Sequence, residues 1–391
     1  MKILIITHYN FAGKLGGATN RVLGIARALS RYALVKILHR GPNMRLDNLH
    51  FIGYKSFFPF STSHPISDMT SPYVSSVFLD FFRKAKSALE NVDIVQVEQP
   101  YLMVPTLILA RALDRDPLIV LDAHNVDFIA VKSKINGISL NSVLTIATIP
   151  FVFLSESIAV KGADKILCVS KEDQHLFMSF YKIPRDKLVV VPNGVDLKKF
   201  EKLSPVSKHL SEDKKIVFFH GTLSWHPNLE AAIFIVDYIA PRVPEAIFLI
   251  AGVNPSSKLI RKANKVRNVK ILGYVKNLET WIKLSSVCIA PILRGGGTRL
   301  KILEYAAAGK PIVATFKAVE GLGMINSVHG FFCNDIDENF IRGIRLLLED
   351  KQLACKLGEN AKALAKKFDW HVIGEKLYRI YEKILEGRSS Q

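Results

Sequence analysis

The sequence predicts an α/β protein of two similar domains, each a doubly wound parallel sheet. Two observations carry this. Short runs that are apolar on both faces alternate with segments of helical period, as strands and crossover helices do in a buried parallel sheet. The pattern then restarts after a stretch rich in Pro, Gly, Lys and Ser, residues 192–215, which reads as a linker. The chain has 391 residues, which suits two domains of ordinary size.

In the first half the strands are expected at Lys2–Thr7, Leu34–Leu38, Asp93–Val97, Leu118–Leu121, Lys165–Val169 and Lys187–Val191. The first is followed by a loop bearing Gly13, Gly16 and Gly17, then by Val22, Ile25, Ala26 and Leu29 at helical spacing. In the second half strands are expected at Ile216–Phe219, Ile247–Ile250, Val269–Leu272, Val287–Ala290 and Ile312–Ala314. Residues 353–385 read as helix, broken near Phe368-Asp369-Trp370, where Asp369 is placed to cap a last helix. The expected division is 1–195, 196–368 and a C-terminal helix, 369–391, packing back on the N-terminal domain.

Hydrophobic residues make up 49% and charged residues 23%, which excludes a disordered chain. Four cysteines, Cys168, Cys288, Cys333 and Cys355, lie far apart without a CxxC; this excludes a disulfide scaffold or zinc ribbon and fits a reducing cytosol. The net charge is +18, shared as +8 over residues 1–200 and +10 over residues 201–391. Such a field attracts anions: nucleic acid, an anionic membrane or phosphorylated substrates. Only four strongly apolar residues follow Met1-Lys2 before Thr7-His8, too few for a secretory signal, and a cytoplasmic protein is expected. Ile135–Ser155 is 21 residues without a charge. Its Asn, Gly, Pro, Ser and Thr residues make it a buried or surface-dipping helix rather than a membrane span.

The segment with most chemical content is Gly295-Gly-Gly-Thr-Arg-Leu-Lys-Ile-Leu-Glu304. It follows a strand and enters a helix. Three glycines expose backbone N–H groups, Thr298 is expected to cap, and a helix N-terminus attracts anions through its free N–H groups and dipole. Arg299 and Lys301 add positive charge. A carboxylate at Glu304 is unsuited to a phosphate but can accept two hydrogen bonds from ribose hydroxyls. Together these groups suggest a nucleoside diphosphate. Asp335-Ile-Asp337 looks like a DxD metal signature, but its place before a helix makes it a cap, and no cluster with metal-ligand spacing is visible.

Gly295–Thr315, with Glu304-Tyr-Ala-Ala-Ala-Gly-Lys-Pro311, resembles the donor-site segment of retaining glycosyltransferases of the GT-B fold, family GT4 (glycosyltransferase group 1). Val191-Pro-Asn-Gly-Val-Asp196, His220-Gly-Thr-Leu-Ser-Trp-His-Pro-Asn228 and Val319-Glu-Gly-Leu322 resemble its linker, the opening of its second domain and a donor-pocket loop. The resemblance is strong over residues 191–322 and weak over 40–115. It implies two Rossmann-like domains facing a cleft, and transfer of a sugar from a nucleotide-diphosphate sugar to a hydroxyl of a glycan or lipid-linked acceptor, with retention and without a metal or other cofactor. The resemblance implies a catalytic role for His124, and the charge of Arg299 and Lys301 beside the glycine turn makes them the other catalytic candidates. The implied donor-binding residues are Gly16, Gly17, Gly221, Gly295, Gly296, Gly297, Thr298, Leu300, Glu304, Glu320 and Gly321.

Two departures stand out. The family often carries a first glutamate where this chain has Gly296. It also often has an Arg and a Lys after the first strand of the second domain, where Thr222–Asn228 has neither; Arg299 and Lys301 are candidates to replace them. Glu98, at a strand end, and Arg21, one turn into the first helix, are lesser candidates.

Two other readings compete. A nucleotide-sugar epimerase would share fold and donor site, and would release no nucleotide on adding acceptor. A non-catalytic polyanion binder would fit the charge, but no base-stacking motif or nucleic-acid fold is visible, so nucleic acid is not an expected partner. Phe57, Phe58, Phe60, Tyr73, Phe78, Phe81 and Phe82 crowd one region of the first domain, and seven basic residues with no acid lie between Lys258 and Lys276. These features suggest reversible docking on an anionic inner membrane face.

Overall fold

The computed structural model describes residues 1–12, 16–55, 79–112, 116–132, 140–201 and 215–389. The chain forms two compact units: Met1–Pro192 together with Trp370–Gln391, and Asn193–Asp369.

The first unit is built on strands β1 (Lys2–Ile6), β2 (Leu34–Arg40), β3 (Met44–Leu46), β4 (Leu49–Tyr54), β5 (Ile94–Glu98), β6 (Leu118–Ala123), β7 (Lys165–Cys168) and β8 (Leu188–Val190). They form one sheet in the order β3-β4-β2-β1-β5-β6-β7-β8. All pairs are parallel except β3 with β4. β1 and β5 run in register from Ile3↔Ile94 to Ile6↔Val97. Their side chains are buried on both faces, because helices cover both sides of a doubly wound sheet. β3 and β4 escape a reading of the sequence. They are a short hairpin turning at Asp47, whose φ is +53°, and Arg45, His50 and Gly53 interrupt any apolar run.

The helix Gly17–Leu29 buries Val22, Ile25, Ala26 and Leu29, the positions its spacing marks. The last helix, Trp370–Ser389, packs beside it at very close range. A Cβ on Gly24 would lie 2.2 Å from the Trp370 indole, and one on Gly374 would lie 2.2 Å from the Ala28 Cβ. Larger residues at either position would push the two helices apart.

The second unit has β9 (Ile216–His220), β10 (Ile247–Ala251), β11 (Val269–Gly273), β12 (Val287–Ala290), β13 (Ile312–Thr315) and β14 (Phe331–Cys333). The sheet is fully parallel in the order β11-β10-β9-β12-β13-β14, the Rossmann arrangement. Its core joins Phe218, Phe248, Ile289, Ile302, Tyr305 and Phe340, among others. β14 is only three residues long, too short to carry a pattern. The Asp337 side chain accepts from the N–H groups of Asn339 and Phe340 at the start of the helix Glu338–Glu349, so Asp337 of the DxD-like pair is a cap, while Asp335 accepts from Ile336 N–H at 2.7 Å. Asp369 accepts from Leu197 N–H at 3.4 Å, and the last helix begins at the next residue, Trp370. Phe57, Phe58, Phe60, Tyr73 and Phe78 lie outside the described residues, as does the start of the uncharged stretch. The rest of that stretch lies in the helix Leu140–Gly162.

Candidate nucleotide-sugar site

In open α/β sheets ligands bind beyond the carboxyl ends of the strands, where the strand order reverses. In the second unit that point lies between β9 and β12, and of the predicted residues Gly221 follows β9 while Gly295–Gly297, Lys301 and Glu304 follow β12. The turn after β12 holds Gly295 (φ +105°) and Gly297 (φ +68°), conformations in which a side chain is strained. No N–H of Gly295, Gly296 or Gly297 is used by a partner among the described residues.

The helix that follows spans Leu300–Ala307, and Arg299, not Thr298, occupies its N-cap without a side-chain bond. The expected Thr298 cap is therefore corrected. Thr298 Oγ1 instead accepts from Asn193 Nδ2 at 2.8 Å, because the turn uses one more residue than the capping pattern assumes. Leu300 is the first helical residue.

Arg299 also departs from its expected role. Its guanidinium folds back and donates to the carbonyls of Gly295 (2.8 Å), Gly296 (2.7 Å) and Gly297. It stiffens the turn from within. Lys301 is the buried cation. Its Nζ donates to Asn228 Oδ1 at 2.7 Å and lies 4.1 Å from the centre of the Phe219 ring. Burial, joined by the charge of Arg299 and opposed by Glu304, pushes its pKa down to about 7. Asn228 lies in the stretch where the family's basic pair is missing, so Lys301 reaches that stretch from the first turn of the helix Leu300–Ala307. A Cβ on Gly221 would lie 2.7 Å from the Asn228 amide, which explains glycine there. Gly221 N–H is itself taken by Ala251 O at 3.0 Å.

Glu304 Oε2 lies 3.2 Å from His220 Nε2. Burial would push the carboxyl up, but His220, Lys199 and Lys301 outweigh it and hold it below the usual carboxylate range. It stays a charged acceptor. Glu320 pairs with Lys317 Nζ at 2.5 Å, and Gly321 follows with φ +77°. A groove lined by Phe316, Phe332, Asp337 and Arg342 lies at the other end of the sheet, beside β14, and shares no residue with this cluster.

The corresponding point of the first unit, between β1 and β5, is internally paired. Arg21, 1% exposed, donates to Asp122 Oδ1 at 2.6 Å and to the carbonyls of Val191 (3.0 Å) and Pro192 (3.2 Å). It is neither solvated nor free for a ligand. Gln96 Nε2 donates to Glu98 Oε1 at 2.7 Å, and Tyr381 OH to Gln96 Oε1 at 2.8 Å. His124 Nε2 lies 2.7 Å from Glu98 Oε2, with the Tyr9 ring stacked 6.2 Å away. Burial and Asp122 push the Glu98 carboxyl up, against the pull of His124 and Arg21. The sequence reading missed that Glu98, Asp122 and His124 offer ligand atoms within 4.8 Å of one another. The residues do not fit a metal, because a guanidinium already occupies Asp122 and the Glu98 oxygens face Gln96 and His124. Gly16 N–H donates to Thr19 Oγ1 at 2.7 Å, whereas the N–H of Gly17, the first helical residue, has no partner among the described residues.

His220, Asn228 and Asn193 were not singled out in the sequence. His220 and Asn228 bound the His220–Asn228 motif, and Asn193 lies in Val191–Asp196, so the signal was present but not resolved to side chains.

Comparison with known proteins agrees with this geometry. The Glycosyltransferase Family 4 model matches residues 15–199, and the Glycosyl transferases group 1 model matches residues 214–350. The chain is 26% identical over 215 residues to the UDP-Gal:alpha-D-GlcNAc-diphosphoundecaprenol alpha-1,3-galactosyltransferase of Escherichia coli, covering 51% of this chain and 54% of that enzyme. It is 22% identical over 204 residues to the phosphatidyl-myo-inositol mannosyltransferase of Mycobacterium tuberculosis, covering 50% of this chain and 54% of that enzyme. The matches thus span about half the length of these relatives. The structure of Anabaena HepE in complex with UDP-glucose superposes with a TM-score of 0.74 at 17% identity, covering 98% of this chain and 100% of that one, a likeness of fold. With both sheets, the glycine turn and the two family models in agreement, the chain belongs to the family 4, group 1 glycosyltransferases of the GT-B fold.

Proposed function

We propose that the protein transfers a sugar from a nucleotide-diphosphate sugar to a hydroxyl of a glycan or lipid-linked acceptor, with retention of anomeric configuration. The observation that carries this is the convergence, at the switch point of the second sheet, of the glycine turn, the buried Lys301 and the ionised Glu304. In the reaction the bond between the anomeric carbon and phosphate breaks, and negative charge grows on the leaving diphosphate. The N–H groups of Gly295–Gly297 and a protonated Lys301 are suited to receive that charge. Arg299 holds the turn that presents them. Glu304 accepts from the ribose hydroxyls, while His124, Gly17 and the Glu320-Gly321 loop serve the sugar and phosphates as the family resemblance implies. With these donors in place no metal is required to neutralise the diphosphate. In retention, the acceptor attacks on the face from which the phosphate leaves, which needs no protein nucleophile.

The two relatives described above are named for a diphosphoundecaprenol-linked sugar and for phosphatidyl-myo-inositol. Their names, together with the charge of +18, favour a lipid-borne acceptor and a cytoplasmic protein that docks reversibly on a membrane. The test is incubation with a panel of nucleotide sugars, with and without membranes and with a chelator present. Release of nucleoside diphosphate that requires acceptor and survives chelation is the expected result. Consumption of the donor without acceptor would point to an epimerase instead.

A further inference from the structure

The helix Leu140–Gly162 is apolar on both its faces. Its inner face buries Val152, Ala159 and Val160 in the core and also carries bonded polar groups. Glu156, 1% exposed, accepts from Asp127 N–H at 2.8 Å and Phe128 N–H at 3.3 Å and from the Tyr181 hydroxyl. Thr148 is buried and bonded to Thr145 O at 2.7 Å. The outward positions Val143, Ile146, Ala147, Pro150, Leu154 and Ile158 are all exposed and all apolar. They recur at helical spacing and form one stripe about 22 Å long. Val143 is 56%, Ile146 51% and Leu154 60% exposed.

The stripe ends in a cation. Lys161, exposed, lies three residues beyond Ile158 on the same face. The neighbouring helix Met103–Arg111 repeats the device: Val104 and Ile108 are exposed, and the exposed Arg111 lies three residues beyond Ile108. The two helices touch where Leu107 reaches Gly162. Neither helix exposes a carboxylate.

By length and composition Thr145–Gly162 could cross a bilayer, with a mean hydropathy of 1.2. The bonds of Glu156 instead tie the helix to its own unit along its inner face. We propose that this face lies in the surface of an anionic lipid bilayer, with the Val143–Ile158 stripe among the acyl chains and Lys161 and Arg111 at the headgroups. Apolar burial combined with cationic contact is the arrangement that holds a protein reversibly at a membrane. A second copy of the chain is a poorer occupant, because two bodies of charge +18 repel while an anionic leaflet attracts. The inference deepens the peripheral-docking part of the proposed function and does not depend on sugar transfer.

The test is co-sedimentation of the full chain with vesicles of phosphatidylglycerol and phosphatidylcholine, and with phosphatidylcholine alone. Wild type is expected to sediment with the anionic vesicles at low salt and to bind on the order of tenfold more weakly as Ile146→Glu with Leu154→Glu. In parallel, Leu154→Trp is expected to be quenched by brominated lipid beyond the background of the three native tryptophans; this reading holds even if the double variant misfolds. Undiminished binding by a folded double variant together with an unquenched Leu154→Trp would overturn the assignment, as would a wild-type dimer that Leu154→Glu makes monomeric. Donor binding is measured on the same samples. Its absence in wild type would count against glycosyl transfer and leave the docking result standing.

Discussion

In the first unit the strand ends at the switch point carry Glu98 and Asp122, and both are already engaged, by His124 and Gln96 and by Arg21. In the second unit the same position carries glycine N–H groups with no partner among the described residues, a lysine whose pKa has fallen to about 7, and a carboxylate held ionised. One topology serves two ends. The first ionic network is spent largely on the chain itself: Arg21 fixes the exit at Val191-Pro192, and Gln96 receives Tyr381 from the last helix. The second network has capacity left for a ligand. The difference teaches that a charged cluster at a strand end is judged by how many of its partners are already supplied.

The comparison breaks most visibly at Arg21. Replacing it by Met leaves Asp122 buried without its cation and should cost about 3–5 kcal/mol of stability, read by urea unfolding; a loss near zero would show that the pair is dispensable. Glu304→Ala should leave the fold nearly unchanged and weaken donor binding by about 2–4 kcal/mol. A dissociation constant within twofold of wild type would remove Glu304 from the site.

Lys301→Met should weaken nucleotide-sugar binding by about 1.5–3 kcal/mol at pH 6. The sign with pH follows from the depressed pKa. The diphosphate takes the protonated lysine, so wild-type affinity falls as pH rises above about 7. The Met variant should lack that fall. The same group makes folding of the free protein less favourable at low pH, since the unfolded chain holds a proton that the folded chain gives up between about pH 7 and the ordinary lysine value near 10.5. His124→Ala is the mildest change. It should lower turnover about tenfold at saturating donor while donor affinity holds. Wild-type turnover would confine His124 to its pair with Glu98.

Much of this was legible in the sequence, for definite reasons. The central strands announce themselves because burial on both faces forces unbroken apolar runs, as in Lys2–Ile6 and Val287–Ala290. The glycine turn was legible because positive φ selects glycine at 295 and 297. What escaped depended on long-range contact. Arg21 meets Asp122 across 101 residues and Tyr381 meets Gln96 across 285, and no local pattern encodes such pairs. The direction of Arg299 escaped as well, since a guanidinium beside a glycine turn can face a ligand or the turn's own carbonyls with the same sequence.

The central claim is that the nucleotide binds at the switch point of the second sheet. Photolabelling of the full chain with azido-uridine and azido-purine diphosphates, followed by peptide mapping, tests it directly. The account predicts label on peptides within residues 215–321, displaced by unmodified nucleoside diphosphate and lost in Glu304→Ala. Displaceable label confined to residues 1–132 would contradict it.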